Sequence, residues 1–126
     1  MPKILIVDDD KNLRQIYARY LGMEGYEIAE AANAEEALSR SSADSFDAVL
    51  LDIRLPTLSG EELAPKIRES QPKTSLIISS CHDVDFQKKA VAGAQGYFNK
   101  TDGCRALLSQ IKAVLHSALS DEAGIQ

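Results

Sequence analysis

Asp52 and the run Asp8-Asp9-Asp10 are the residues whose type and placement could do chemistry. Asp52 ends the apolar run Ala48-Val49-Leu50-Leu51 and is followed by Ile53-Arg54-Leu55-Pro56. The three aspartates end a second apolar run, Ile4-Leu5-Ile6-Val7. A carboxylate at the carboxyl end of a buried strand sits where open α/β sheets bind ligands. If the two strands are parallel neighbours, three or four carboxylates converge at one edge of the sheet. Like charges held that close repel and need a cation. A hard divalent ion with oxygen ligands, Mg²⁺, is the natural occupant. Lys100 follows the strand-like Gly96-Tyr97-Phe98-Asn99. An acidic pocket with one separate aspartate and one lysine suggests phosphoryl chemistry, where catalysis is mostly positioning and neutralisation of charge on the phosphoryl oxygens.

Positioning these groups requires alternating strands and helices. Apolar runs alternate with helical spacing along the whole chain, which implies βα units and a mostly parallel sheet. Strands are expected at 3–7, 26–31, 46–51, 75–80 and 96–99. Leu13, Ile16, Tyr17, Tyr20 and Leu21 form the inner face of a first helix, with Asp10 as its cap and Gly22 or Gly25 as its stop. Asn33 caps a short second helix through Leu38, and 41–45 reads as a polar loop. Ser59-Gly60-Glu61-Glu62 is a capping box, and Pro65 inside the helix it opens should kink it. Asp83 opens a fourth helix to about Ala92. The last helix runs from about Asp102 to Leu119, with Leu107, Leu108, Ile111, Val114, Leu115 and Leu119 inward.

The 126 residues make one domain, with 44% hydrophobic residues to build a core without disulfides. Two cysteines, Cys81 and Cys104, are too few for a secreted scaffold, so a reduced cytoplasmic setting is expected. No stretch reaches the ~18 apolar residues of a membrane span. A net charge of −5 argues against a general nucleic-acid surface.

Taken in order, Ile4-Leu5-Ile6-Val7-Asp8-Asp9-Asp10, Leu50-Leu51-Asp52-Ile53-Arg54-Leu55-Pro56 with Gly60, and Gly93-Ala94-Gln95-Gly96-Tyr97-Phe98-Asn99-Lys100 resemble the receiver domain of two-component response regulators. The resemblance covers about Pro2 to Leu119. It implies a flavodoxin-like (βα)5 doubly wound parallel sheet of strand order 2-1-3-4-5, with helices one and five on one face. A receiver domain over 1–120 with a disordered tail at 121–126 is expected. The resemblance makes Asp52 the phosphoacceptor, Asp8 and Asp9 the acidic pair, and Asp9 the direct Mg²⁺ ligand. Arg54 would offer its carbonyl to the metal, Lys100 would contact phosphoryl oxygens, and Tyr97 would be the aromatic switch. The switch hydroxyl is Ser79 or Ser80, and a gap-free count from Asp52 favours Ser80. Three positions depart from the family pattern. Thr101 replaces the usual proline, so a trans peptide is expected there, since a cis bond to a non-proline costs ~3 kcal/mol. The stretch from Ser80 to Gly93 is about two residues shorter than usual. Ser59 stands where aspartate is common.

The leading expectation is a stand-alone receiver taking a phosphoryl group from a histidine kinase or phosphotransfer protein and regulating an output protein of unidentified kind. Its chemistry would be limited to Mg²⁺-dependent self-phosphorylation and dephosphorylation, with no direct nucleic-acid or membrane contact. The alternative is a receiver-like interaction module that does not switch by phosphorylation, motivated by Thr101 and the shortened segment. A flavin or nucleotide binder of the same fold is disfavoured, because Asp8-Asp9-Asp10 stands where a phosphate loop would be and repels phosphate. Plainer readings also exist: Asp10 as a cap only, Cys81-His82 as packing, Lys88-Lys89 as a wet helix face, and His116 as surface.

Overall fold

The computed structural model describes residues 1–55, 58–81 and 84–122. Five parallel strands, β1 (Lys3–Val7), β2 (Glu27–Ala31), β3 (Ala48–Asp52), β4 (Ser75–Ser80) and β5 (Gly96–Asn99), lie in the order β2-β1-β3-β4-β5. Helices α1 (Lys11–Met23), α2 (Ala34–Ala43), α3 (Gly60–Ser70) and α4 (Val84–Ala90) make the four crossovers, and α5 (Cys104–Glu122) follows the last strand. This is the flavodoxin-like order expected from the sequence.

Strand alternation sorts the core into two halves. Ile4, Ile6, Leu50, Ile77 and Phe98 face α1 and α5, meeting Tyr17, Leu21, Leu107 and Ile111. Leu5, Val7, Leu51, Ile53 and Ile78 face α2 and α3, meeting Ala37, Leu63 and Ile67. β3 and β4 are buried at every position, as apolar strands covered on both faces must be. β2 is an edge strand, and its half-polar sequence fits that place.

Several local expectations need correction. Ile16 is 54% exposed. It lies about 100° round the helix from Tyr17, outside the stripe of Leu13, Tyr17 and Leu21. The predicted loop at 41–45 is helical as far as Ala43. Ser41 turns into the core, and Ser42 Oγ donates back to the Leu38 carbonyl. Gly25, with φ +96°, rather than Gly22, carries the left-handed turn after α1. α4 ends at Ala90, two residues early, leaving only two turns. A 3₁₀ turn at Lys100–Asp102 and Gly103 at φ +87° delay α5 to Cys104, and α5 continues to Glu122. Pro56, His82 and Asp83, and the side chain of Leu119, lie outside the described residues. The caps at Asp10, Asn33 and Ser59 are as expected, each side chain accepting from the backbone N–H three residues on.

Gln71, just after α3, ties two crossovers together. Its Oε1 accepts from Phe46 N–H at 2.9 Å, and its Nε2 donates to the Ser41 carbonyl at 2.9 Å and the Asp44 carbonyl at 2.7 Å. Leucine has similar volume but would leave these three backbone groups unpaired. An unsatisfied buried group costs about 1–3 kcal/mol. Gln71→Leu is therefore expected to lower unfolding stability by about 3 kcal/mol, read from urea denaturation. A loss under about 1 kcal/mol would mean that water replaces the carboxamide.

Tyr17 packs edge-to-face on Phe98, ring centroids 6.1 Å apart, with its hydroxyl buried and unpartnered. Burial, with a smaller opposing effect from the Lys100 charge, pushes the phenol from 10.0 up to about 12. A raised pKa means the folded state keeps the proton longer. The stability this contributes is present below pH 10 and is lost as pH rises through about 12. Tyr17→Phe removes both the orphan hydroxyl and this alkaline loss. We expect about 1 kcal/mol of added stability at neutral pH and a flatter melting temperature against alkaline pH.

Candidate functional site

The carboxyl ends of β1, β3 and β5 meet at one edge of the sheet. Asp8 follows β1, Asp52 closes β3, and Lys100 follows β5. Asp52 lies inside its strand rather than after it, so its backbone is held on the ladder opposite Ser79. The next residues are fixed too. Ile53 N–H donates to the Ser79 carbonyl at 3.2 Å, and Gly60 N–H to the Ile53 carbonyl at 2.8 Å. A Cβ on Gly60 would come within 2.6 Å of the Asp52 carbonyl oxygen, so only glycine lets α3 begin this close to the strand end.

Lys100 bridges the two buried carboxylates. Its Nζ lies 2.8 Å from Asp8 Oδ2 and 3.0 Å from Asp52 Oδ2. Asp8 is 2% exposed and Asp52 5%. The remaining oxygens are also engaged. Asp8 Oδ1 accepts from Asp10 N–H at 2.9 Å, and Asp52 Oδ1 from Arg54 N–H at 3.1 Å. Burial raises the Asp52 pKa, the attraction of Lys100 opposes this, and the nearby Asp8 charge raises it further. Burial alone would lower the Lys100 pKa, but its bonds and attraction to Asp8 and Asp52 outweigh that and raise it. The proton therefore stays on the lysine, whose ammonium is held between the Asp8 and Asp52 side chains.

Asp9 completes an acidic cluster. Asp8, Asp9 and Asp52 each offer a carboxylate oxygen, all within 4.8 Å of one another. It is the one cluster of three or more such ligands among the described residues. A donor set of hard oxygens, two of them on buried residues, fits a hard divalent cation better than a soft one. Asp10 turns away to cap α1. Cys81 is exposed and Cys104 half-buried, both as free thiols.

Ser79 and Ser80 are both buried, and they point to opposite faces of β4. Ser79 shares the Ile77 face, and its Oγ has no hydrogen-bond partner. Ser80 shares the face of Ile78 and hence of Tyr97, its diagonal neighbour on β5. Tyr97 itself is tied to the α4–β5 connection. Its hydroxyl donates to the Val91 carbonyl at 2.7 Å and accepts from Ala94 N–H at 3.2 Å, and Lys88 Nζ stands 5.9 Å from the ring centre. Lys89, Arg105 and His116 are exposed.

Two supports of the site escaped the sequence reading. Arg14 donates from Nη1 to the Asp8 carbonyl at 2.7 Å and from Nε to Glu30 at 2.9 Å, locking α1 to the acidic strand end. Gln87, fully buried on α4, donates from Nε2 to the Phe98 carbonyl at 3.0 Å. Neither has a local signal. Each looks in sequence like one more polar residue on a helix.

Comparison with known proteins agrees with this geometry. The response regulator receiver domain family matches residues 4–112. The response regulator MprA of Mycolicibacterium vanbaalenii is 31% identical over 122 residues, which cover 95% of this chain and 53% of that protein. The chain spans about half the length of the curated relatives it matches. A CheY-like receiver domain protein from Methanospirillum hungatei superposes with a TM-score of 0.87 at 33% identity, covering 96% of this chain and 98% of that one. The response regulator TrrA of Thermotoga maritima, solved in complex with Mg²⁺–BeF, gives a TM-score of 0.78 at 33% identity, covering 90% and 99%.

Proposed function

The chain belongs to the response regulator receiver domain family, and from that premise we propose that Asp52 is its phosphoacceptor. The observation that carries this reading is the Lys100 ammonium shared by Asp52 and Asp8 at 3.0 and 2.8 Å. One Asp52 oxygen attacks phosphorus, and an acyl phosphate forms as the bond from phosphorus to the donor's nitrogen breaks. The donor is the phosphohistidine of a histidine kinase or phosphotransfer protein. Lys100 carries the positive charge needed by the new phosphoryl oxygens. Hydrolysis of the acyl phosphate resets the site, so the chemistry is self-phosphorylation and dephosphorylation within one receiver domain over 1–120.

Asp9, Asp52 and the Arg54 carbonyl would hold Mg²⁺, with Asp8 acting through water. Bound there, the ion supplies charge neutralisation for the transferring phosphoryl group. Ser80 is the hydroxyl that would donate a hydrogen bond to a phosphoryl oxygen, and its place on the Tyr97 face supports coupling the two. The output surface is then α4, β5 and α5, with Lys88, Lys89 and Arg105, read by an output protein. The Lys100 bridge occupies the β1–β3 switch point where a flavin binder of this fold would seat its ligand, which favours a phosphoryl group.

Treatment with acetyl phosphate and Mg²⁺ should add the mass of one phosphoryl group. No mass change would remove the reading. Amide NMR spectra with and without a beryllofluoride mimic test the switch. Shifts confined to the loops around Asp52, with Tyr97 and α4 unmoved, would favour a module that does not switch. Relief of carboxylate repulsion should let millimolar Mg²⁺ raise the melting temperature by mass action, and Asp9→Ala should weaken the rise. An unchanged melting temperature would exclude the ion site as drawn.

A further inference from the structure

Lys100 lies in a stretch of chain that is gripped on both sides. Behind it, the Gln87 carboxamide holds the Phe98 carbonyl at 3.0 Å and so fixes β5 against α4. Asn99 is then held on the ladder opposite Ser80. Ahead of it, Asn99 Oδ1 accepts twice from Thr101, from the N–H at 3.0 Å and from Oγ1 at 2.8 Å. One oxygen on the residue before Lys100 therefore binds both donors of the residue after it. The same side chain caps the 3₁₀ turn that begins at Lys100.

We propose that Asn99 and Thr101 are positioning residues for Lys100, closing the turn that sets its ammonium between Asp8 and Asp52. The inference rests on the reading of Lys100 as the group that meets the phosphoryl oxygens. Thr101 occupies the position where the family resemblance expects proline. Proline would fix its own φ and would offer no N–H. Threonine leaves φ free, and here the restraint comes instead from two hydrogen bonds to a neighbouring side chain. With β5 fixed by its ladder and by Gln87, this turn is the main backbone freedom left to Lys100. Gly103 at φ +87° then lets the chain leave the turn into α5. The turn is exposed at Thr101, so its geometry depends on these bonds rather than on burial.

The test uses the full chain with Asn99→Ala, which removes the shared acceptor, and Thr101→Val, which keeps the N–H but removes the hydroxyl. Thr101→Ser keeps both donors and serves as the conservative rescue. The self-phosphorylation rate with acetyl phosphate should fall about tenfold in Asn99→Ala, since small misplacements of a catalytic group cost this much or more. It should fall less in Thr101→Val and return in Thr101→Ser. Mg²⁺ affinity by calorimetry should not fall, because Asp9, Asp52 and the Arg54 carbonyl are untouched and a displaced ammonium leaves the carboxylates freer for the ion. A merely structural role would lower rate and ion affinity together. The Lys100 ammonium resonance in ¹⁵N NMR supplies a readout independent of phosphorylation. It should be protected from exchange in the parent and in Thr101→Ser, and lose that protection in Asn99→Ala. Retained protection and an unchanged rate in Asn99→Ala would overturn the inference. A parent that takes up no phosphoryl group would overturn the functional reading, and the ammonium resonance would still decide this one.

Discussion

Asp52→Asn is expected to reduce Mg²⁺-dependent phosphoryl uptake to background while the fold stays intact. The amide has nearly the same shape and can still accept from Arg54 N–H, the bond made now at 3.1 Å. It lacks the charge and nucleophilicity to attack phosphorus. Burial raises the pKa of Asp52, so the folded state disfavours the charged carboxylate at this position. Removing that charge also lessens repulsion from Asp8, and Lys100 keeps its 2.8 Å partner there. The variant should therefore melt no lower than the parent in the absence of metal. Intact-protein mass spectrometry and a melting curve on the same sample check both halves. Undiminished uptake would exclude Asp52 as the acceptor, and a collapsed melting curve would make the loss of uptake uninformative about chemistry.

Lys100→Met has the larger effect on stability. It keeps most of the side-chain volume and removes the one ammonium that bridges Asp8 and Asp52. Breaking a buried pair by deleting one partner costs about 3–5 kcal/mol, against a typical domain stability of about 5–15 kcal/mol. Two carboxylates left together raise each other's pKa. A raised carboxylate pKa gives stability that is present at low pH and lost as pH rises through the folded-state value. The deficit of the variant should thus be greatest at neutral pH and shrink as pH falls toward the ordinary carboxylate value near about 4. Millimolar Mg²⁺ should recover part of it at neutral pH by taking the place of the lost charge. Urea denaturation across this pH range, with and without Mg²⁺, tests the sign. A deficit that does not change with pH would mean that lost packing, rather than repulsion, is the cause.

The strand framework was legible because it depends on short-range pattern. Ile4-Leu5-Ile6-Val7 and Ala48-Val49-Leu50-Leu51 are apolar runs with no other use than a sheet covered on both faces. The aspartates that end them were legible for the same reason, since a charge directly after such a run must lie at the sheet edge. Helix ends were less legible. Ser41 to Ala43 looks like a loop until Gln71, thirty residues from Ser41, is seen to bond the Ser41 carbonyl. Ile16 looks like core until the positions of α5 and the sheet fix the width of the buried stripe. The delayed start of α5 follows from the turn that Asn99 closes on Thr101 and Gly103 ends, local turn signals that the helical spacing of the following residues masks. Arg14 and Gln87 act through groups on other elements, the Asp8 carbonyl and Glu30 carboxylate for one and the Phe98 carbonyl for the other. Their roles could not be read before those elements were placed.

The tie between Tyr97 and the α4–β5 connection sets the cost of any switch in which that ring would move. Any motion that carries the ring elsewhere must give up two hydrogen bonds, to the Val91 carbonyl and from Ala94 N–H. At about 1 kcal/mol net for each, that is a bias of roughly 30-fold in population. A partner that recognises the displaced ring meets an apparent affinity weakened by the same factor until the bias is removed. For a partner of that kind, one phenol hydroxyl would hold the background engagement to a few per cent.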